Sequence, residues 1–420
     1  MNRLQVIFTL PDLRNKLLFV LFILFIYRLG GYLPIAGVDI DQVSRLFDQG
    51  GLLGFVNLFS GGGLSRFSIF ALGIIPFINA SIIMQLLSIA SPSLKELAQE
   101  GEMGRKKLSQ YTRYLAIVLA GVQAILLSIT FRGYLLPDIN ALFFVVYATV
   151  SLVAGAALVM WFGELISEYG IGNGASLIIF IGIVAQMPVY IQNTILFISG
   201  GGSVIRLLLL VMLLVGVVAS IVFIQEAQRN IPVQYAKRVV GRRMMGAQST
   251  YIPLKLIQGG VLPIIFASAV LQFPIMIMGL IPGDAIEAVI STWYRYDGLI
   301  YNSLFCILIF FFTYFYTAVT FNPEDLSDSL KKNGGFIIGV RPGKPTVQYL
   351  ENIITRLTFF GAVFLSLIAI LPVIGIQITR VTSFQGLGGT ALLIIVGVAL
   401  DLVKQIDAYL MNHQYKGSFK

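Results

Sequence analysis

Residues 67–91 read Phe67-Ser68-Ile69-Phe70-Ala71-Leu72-Gly73-Ile74-Ile75-Pro76-Phe77-Ile78-Asn79-Ala80-Ser81-Ile82-Ile83-Met84-Gln85-Leu86-Leu87-Ser88-Ile89-Ala90-Ser91, without a single charge. About 20 residues of helix cross the hydrocarbon core of a bilayer, and this stretch is long enough. It is continuously apolar rather than alternating at every second position, so it reads as helix and not as a barrel strand. Asn79 and Gln85 are polar within it and are expected to face protein or water rather than lipid. Pro76, with Gly73 before it, is expected to loosen the helix, because proline removes an intrahelical hydrogen bond.

Working outward, similar runs occur near 17–36, 111–131, 142–163, 175–198, 206–225, 257–281, 298–321, 356–376 and 387–411, which makes ten spans in 420 residues. Composition agrees. The chain is 57% apolar and 12% charged, against roughly half and a quarter in an average soluble domain. Arg14 and Lys16 precede the first run, as they would in a signal peptide. Arg28, Gly30 and Gly31 then follow without a small-residue cleavage site, so a retained first helix is expected, with no transit peptide.

Charge placement orients the spans. On the side of the termini Lys and Arg number 22: Arg3, Arg14 and Lys16, five between 92 and 113, six between 225 and 256, five between 322 and 356, and three from Lys404 onward. The other side holds six, namely Arg45, Arg66, Arg132, Arg206, Arg295 and Arg380, while Arg28 lies inside the first span. Cytoplasmic loops carry the excess of Lys and Arg, so both termini are expected on the cytoplasmic face or its organellar equivalent. Orientation accounts for most of the net charge of +9, and no nucleic-acid partner is implied.

Cys306, inside a span, is the single cysteine, and His413, in the C-terminal tail, is the single histidine. That scarcity removes intrachain disulfides and most metal or histidine-based chemistry. No phosphate-cradling glycine loop with its lysine is present either. No catalytic residues, metal or cofactor are expected, and the chain reads as no enzyme. A secondary transporter is the competing class. It usually keeps ionisable groups at mid-membrane, whereas Glu164, Glu168, Asp401 and Lys404 fall at span ends.

No linker divides the chain. Ten spans split into two sets of five, residues 1–198 and 199–420, and an odd number means that the second set starts from the opposite face. Any structural repeat between them is therefore inverted, although no residue-level repeat is visible. Between the first two spans, Gly50-Gly51-Leu52-Leu53-Gly54-Phe55-Val56-Asn57-Leu58-Phe59-Ser60 is apolar but too short to cross, and Gly61, Gly62 and Gly63 follow. It suits a re-entrant piece held within protein and an interfacial helix equally well. Two loops, 225–256 and 322–355, are longer than ordinary connections. They carry clustered cations with Gly and Pro turns, including Lys237, Arg238, Arg242, Arg243 and Gly339-Val340-Arg341-Pro342-Gly343. Such loops present donors to phosphate or carboxylate partners.

The stretch Gly73-Ile74-Ile75-Pro76-Phe77-Ile78-Asn79-Ala80-Ser81-Ile82-Ile83-Met84-Gln85 resembles the second-helix signature of the SecY family. So, in family order, do Glu100-Gly101-Glu102 with Gly104-Arg105-Lys106-Lys107, Gln110-Tyr111-Thr112-Arg113-Tyr114, Trp161-Phe162-Gly163-Glu164, and Gly170-Ile171-Gly172-Asn173-Gly174-Ala175-Ser176. Tyr235-Ala236-Lys237-Arg238, Gln248-Ser249-Thr250, Phe321-Asn322-Pro323 and Arg341-Pro342-Gly343 complete the series. The resemblance spans essentially the whole chain. It implies an all-α polytopic membrane protein, with ten transmembrane helices in two pseudo-symmetric inverted five-helix halves around a central pore. The implied function is passage of unfolded preproteins across the membrane and release of apolar segments through a lateral gate, with residues 52–63 as plug.

The resemblance also implies roles for individual residues. A pore ring falls on Ile74, Ile78, Ile179, Ile265 and Ile394, and the plug's apolar side chains are Leu52, Leu53, Phe55, Val56, Leu58 and Phe59. The lateral gate lies between the spans at 67–91 and 257–281, with Asn79 and Gln85 as gate residues, and partner docking falls on Arg242, Arg243 and Arg341. Implied partners are SecE-type and SecG-type small membrane subunits, a SecA-type ATPase, a translating ribosome, preproteins with signal sequences, and the bilayer itself. The pattern departs at Ile338, where bacterial relatives usually have proline. Short external loops suit a plastid thylakoid membrane, with a bacterial or cyanobacterial plasma membrane as the alternative.

Overall fold

Each of the ten predicted spans contains a helix in the computed structural model, which describes residues 10–48, 57, 59–137, 139–235, 238–240, 243–245, 249–278, 298–381 and 388–417. Helix α1, Pro11–Gly30, opens with proline in its first turn, where a missing N–H costs no hydrogen bond. A short amphipathic α2, Ile40–Asp48, lies outside the spans. Then come α3, Ile75–Ala90, α4, Pro92–Gln99, α5, Glu102–Thr130, and α6, Ala141–Tyr169. The fifth span is two helices, α7, Gly174–Val184, and α8, Met187–Ser199, broken where Pro188 starts the second. The sixth is α9, Val204–Glu226. The last four are α10, Leu262–Met278, α11, Leu299–Thr320, α13, Lys344–Thr379, and α14, Gly389–Gly417. A short polar helix α12, Pro323–Lys332, precedes α13.

Among the described residues seven helices are long and apolar enough to cross a bilayer, and the bent pair Ile75–Ala90 plus Pro92–Ala98 makes eight. The other two predicted spans are α1, with charges at both ends, and α10, which has 17 residues. This is a multi-pass membrane protein. The exposed apolar faces, such as Leu208, Met212, Val215 and Phe223 on α9, are what lipid contact requires.

Two expectations need correction. The second span is helical only from Ile75, after a run of turns through Gly73 (φ +55°). Pro76 therefore sits in the first turn of α3, where it starts the helix rather than loosening it. At the other end Pro92 stops it. Ser91 is forced extended (φ −106°, ψ 119°), as a residue before proline prefers, and α4 leaves at 107°.

The two long loops are also not loops throughout. Residues 225–256 contain strands β1, Gln228–Tyr235, β2, Arg238–Val240, β3, Arg243–Met245, and β4, Ser249–Lys255. Residues 322–355 contain α12, β5, Gly335–Ile337, and the start of α13. β1 pairs antiparallel with β4, from Gln228↔Lys255 to Gln234↔Ser249, and with β5, from Val233↔Ile337 to Tyr235↔Gly335. One sheet, ordered β4-β1-β5, thus ties both basic segments together outside the all-helical membrane region. Ile231, Val233, Leu254, Leu330, Ile337, Leu350 and Ile353 form its own small core.

Packing divides the spans into two groups. In one, α3 packs on α5, α5 on α6, and α6 on α1 and α7; in the other, α10 packs on α11, α11 on α13, and α13 on α9 and α14. The principal contacts between the groups run along two seams, α3 against α10 and α7 against α14. A continuous apolar core, with members from Val20 on α1 to Val398 on α14, fills the space between them.

Candidate functional site

The α3–α10 seam closes on a small void of about 10 Å³ lined by Phe59, Ile75, Ile78, Ile265, Ser268 and Ala269. Ser268 is its one polar side chain, and its hydroxyl already donates to the Ile265 carbonyl at 2.8 Å. A water needs roughly 10–15 Å³ and at least two polar partners. This space offers the volume for at most one and, among the described residues, not the partners, so the seam closes here by dry apolar contact.

Phe59 reaches this void from the segment between the first two spans. Leu52, Leu53, Phe55, Val56 and Leu58 lie outside the described residues, but the root of the segment, Asn57 and Phe59–Ser65, is well tied. Asn57 Oδ1 accepts from the Ser65 amide at 2.9 Å, and Ser60 Oγ accepts from the Leu64 amide at 3.1 Å. Phe59 is buried. Gly61 adopts φ +65°, and a Cβ there would stand 3.0 Å from Gly182 Cα on α7. Only glycine meets both conditions. The root thus sits inside protein, against α3, α7 and α10.

Ile74, Ile78, Ile179, Ile265 and Ile394 are all buried, and all belong to the same continuous core as Phe59. They come from four elements: the start of α3, α7, α10 and α14. Of these, Ile78 and Ile265 line the void directly. Burial alone does not set the five apart, because Ile82 is buried in the same core. Asn79 is buried on α3, and Gln85 Oε1 on the same helix is buried without a hydrogen-bond partner. The proline that loosens a seam helix is one that sequence reading passed over. Pro274 lies inside α10, where it frees the carbonyl four residues back.

On the sheet-tied module Arg341 is exposed, at the tip between β5 and α13. Thr346 Oγ1 donates to its carbonyl at 2.8 Å, which pins the backbone and leaves the guanidinium free to project. The Val340 amide donates to the Ile337 carbonyl at 3.1 Å, closing a turn over Ile338 and Gly339 (φ +82°). A positive φ at the third position is the type II pattern, whose second position favours proline. Ile338 takes that second position. Arg242 lies outside the described residues; Arg243 opens β3, paired with Val240. Asn173 and Asn322, read above as parts of motifs, are helix caps: their side chains accept from the amides of Ser176 and Glu324. Among the described residues no group of His, Cys, Asp or Glu could hold a metal ion.

Comparison with known proteins agrees with this geometry. The family model described as SecY matches residues 68–403. The protein translocase subunit SecY of Synechocystis sp. is 45% identical, covering 97% of this chain and 94% of its own length. Among solved structures, one described as a protein conducting channel superposes with a TM-score of 0.66 at 19% identity, covering 93% of this chain and 91% of its own. Sec61 in the canine ribosome–channel complex superposes with a TM-score of 0.63 at 18% identity, covering 93% and 91%. The ten-span fold, the tied glycine-rich segment at the seam and the matching sequence over nearly its full length agree, and the chain belongs to the SecY family.

Proposed function

We propose that this chain is the pore subunit of a Sec-type translocon, a channel that passes unfolded preproteins across the membrane and releases apolar segments sideways into lipid. The observation that carries the reading is the dry α3–α10 seam with Phe59 seated in it. A seam between two helix groups that is closed by side-chain contact alone can part without breaking a hydrogen-bond ladder. Once parted, it opens both along the membrane normal and toward lipid.

In this reading Ile74, Ile78, Ile179, Ile265 and Ile394 form the constriction, which excludes water and ions by dewetting. Residues 52–63 are the plug. The α3–α10 seam is the lateral gate, with Asn79 and Gln85 in its wall. The spans of residues 1–198 and 199–420 are the two halves that hinge apart.

The sheet-tied module, with Arg242, Arg243 and Arg341, is the docking surface. Clustered guanidiniums suit acidic protein and RNA phosphate alike, so a SecA-type ATPase and a translating ribosome fit the same face. Those partners supply the energy, and SecE-type and SecG-type small subunits complete the assembly. The module faces cytoplasm or stroma, in a thylakoid or cyanobacterial-type plasma membrane.

Co-reconstitution into vesicles with a SecE-type partner and a SecA-type ATPase tests the reading. Preprotein should become protease-protected only in vesicles whose exposed face has residues 228–255 open to protease. Uptake of small solutes without preprotein import would replace the channel with a transporter, and import from the opposite face would reverse the orientation.

A further inference from the structure

Arg28 is the basic residue that neither orientation nor the pore reading absorbs. It stands in the last turn of α1, and among the described residues it points not to a carboxylate but to the root of the plug. Its Nη1 donates to the Gly61 carbonyl, and its Nη2 donates to the Tyr32 hydroxyl at 2.9 Å. The same guanidinium lies 4.7 Å from the Tyr32 ring centroid, and that of Arg66 lies 4.0 Å from the same ring. Arg66 Nη1 is buried with no hydrogen-bond partner, and the guanidinium is held at Tyr32 by the ring and by a hydrogen bond with its hydroxyl. Two cations around one phenol repel each other, and the arrangement suits a guanidinium that is aimed rather than neutralised.

Its target is a hinge. Gly61 and Gly62 have φ of +65° and +86°, and a Cβ on Gly62 would stand 2.6 Å from Gln186 Nε2. The two glycines are therefore wedged between the end of α1 on one side and Gly182 and Gln186 of the fifth span on the other. We propose that Arg28 is a positioning residue for the plug: it latches the hinge carbonyl of Gly61 to α1, and Tyr32 and Arg66 set the direction of its guanidinium. The inference rests on the reading of residues 52–63 as plug.

The chemistry suits a latch that must release. A charge-assisted hydrogen bond to a neutral carbonyl biases a two-state equilibrium by roughly 10- to 100-fold, where a buried ion pair would hold far more tightly. Because the acceptor is backbone, release depends on the hinge turning and not on any side chain at position 61. The latch thereby contributes to how apolar a signal sequence must be before the plug leaves.

Reconstituted channels carrying Arg28→Met test it, read by ion leak and by import of preproteins with shortened apolar signal cores. Leak and acceptance of weak signals should each rise about tenfold or more. Arg28→Lys should fall between, since an ammonium reaches the carbonyl but lacks the planar fork. Tyr32→Phe and Arg66→Gln should shift both readouts the same way by less. In a variant lacking residues 52–58, leak should already be high, and adding Arg28→Met should change it no further.

Additional leak from Arg28→Met in the deletion background would overturn the latch, because the residue would then act without the plug. So would wild-type behaviour of Arg28→Met in otherwise intact channels. If Arg28→Met does not accumulate, Tyr32→Phe and Arg66→Gln decide, and normal leak from both overturns it. A deletion that does not leak contradicts the plug reading instead.

Discussion

At the scale of single residues, the proposed constriction is five isoleucines that look, one at a time, like ordinary core. Ile74 and Ile394 are 1% and 0% exposed, and so, at 3%, is Ile82, which has no ring assignment. What distinguishes the ring is consequence. A polar group on a dewetted axis lets water persist, whereas one buried among helices costs stability and changes no conductance. Ile265→Asn should raise single-channel leak, Ile265→Val should be mild, and Ile78→Asn with Ile265→Asn should leak more than either alone. Ile82→Asn and Ile395→Asn should lower the amount of inserted protein without that leak. Equal leak from ring and control variants would dissolve the assignment.

The apolar signature of α3, which carries two of the proposed ring residues, was legible in the sequence because it is local. The aim of Arg28 at Gly61 was not. Those residues are 33 positions apart, and only the packing of α1 against the fifth span brings them together. Asn173 and Asn322 show the converse. Their place in motifs was visible, but the physical reason, a side chain that closes the first turn of a helix, needed the hydrogen bonds.

At the scale of elements, the spans were readable because lipid demands continuous apolar runs, and their ends were less so. Charged and polar turns continue α6 to Tyr169 and begin α13 at Lys344, beyond where hydropathy falls away. The sheet escaped because its strands are short and lie among cations. Its signal was there in the alternation of Ile231 and Val233 on β1 and of Ile252 and Leu254 on β4, the period of a half-buried strand. The sheet matters because it makes two loops one rigid surface.

Arg341→Glu should therefore block ATPase-driven import while the protein stays folded and inserted, since an exposed charge reversal costs little stability but repels an acidic partner. Leu350→Ala, which empties part of the core under the sheet, should cost about 2–5 kcal/mol locally. It should weaken docking and also make β1 and β4 sensitive to protease. Normal import by Arg341→Glu would leave the module with no role beyond topology.

At the scale of the whole molecule, two helix groups share one apolar core and meet along two seams. The α7–α14 seam is flanked by contacts that bind the start of α1 to the end of α14: Leu13 packs with Ile171 and Leu410, and the Lys16 ammonium lies over the Tyr409 ring at 5.5 Å. The α3–α10 seam has a dry contact and an internal proline instead. In the proposed function, that asymmetry suits the first seam as hinge and the second as opening.

The central claim is that polypeptide passes between the groups, through the ring. It is tested most directly by trapping a preprotein in transit behind a folded C-terminal domain, with a photo-crosslinking residue placed in turn at Ile78, Ile265 and Ile394, and at lipid-facing Met212 and Phe223. The account predicts crosslinks to the trapped chain from all three ring positions and none from α9's outer face. Crosslinks absent from the ring, or equally strong from Met212 and Phe223, would contradict it.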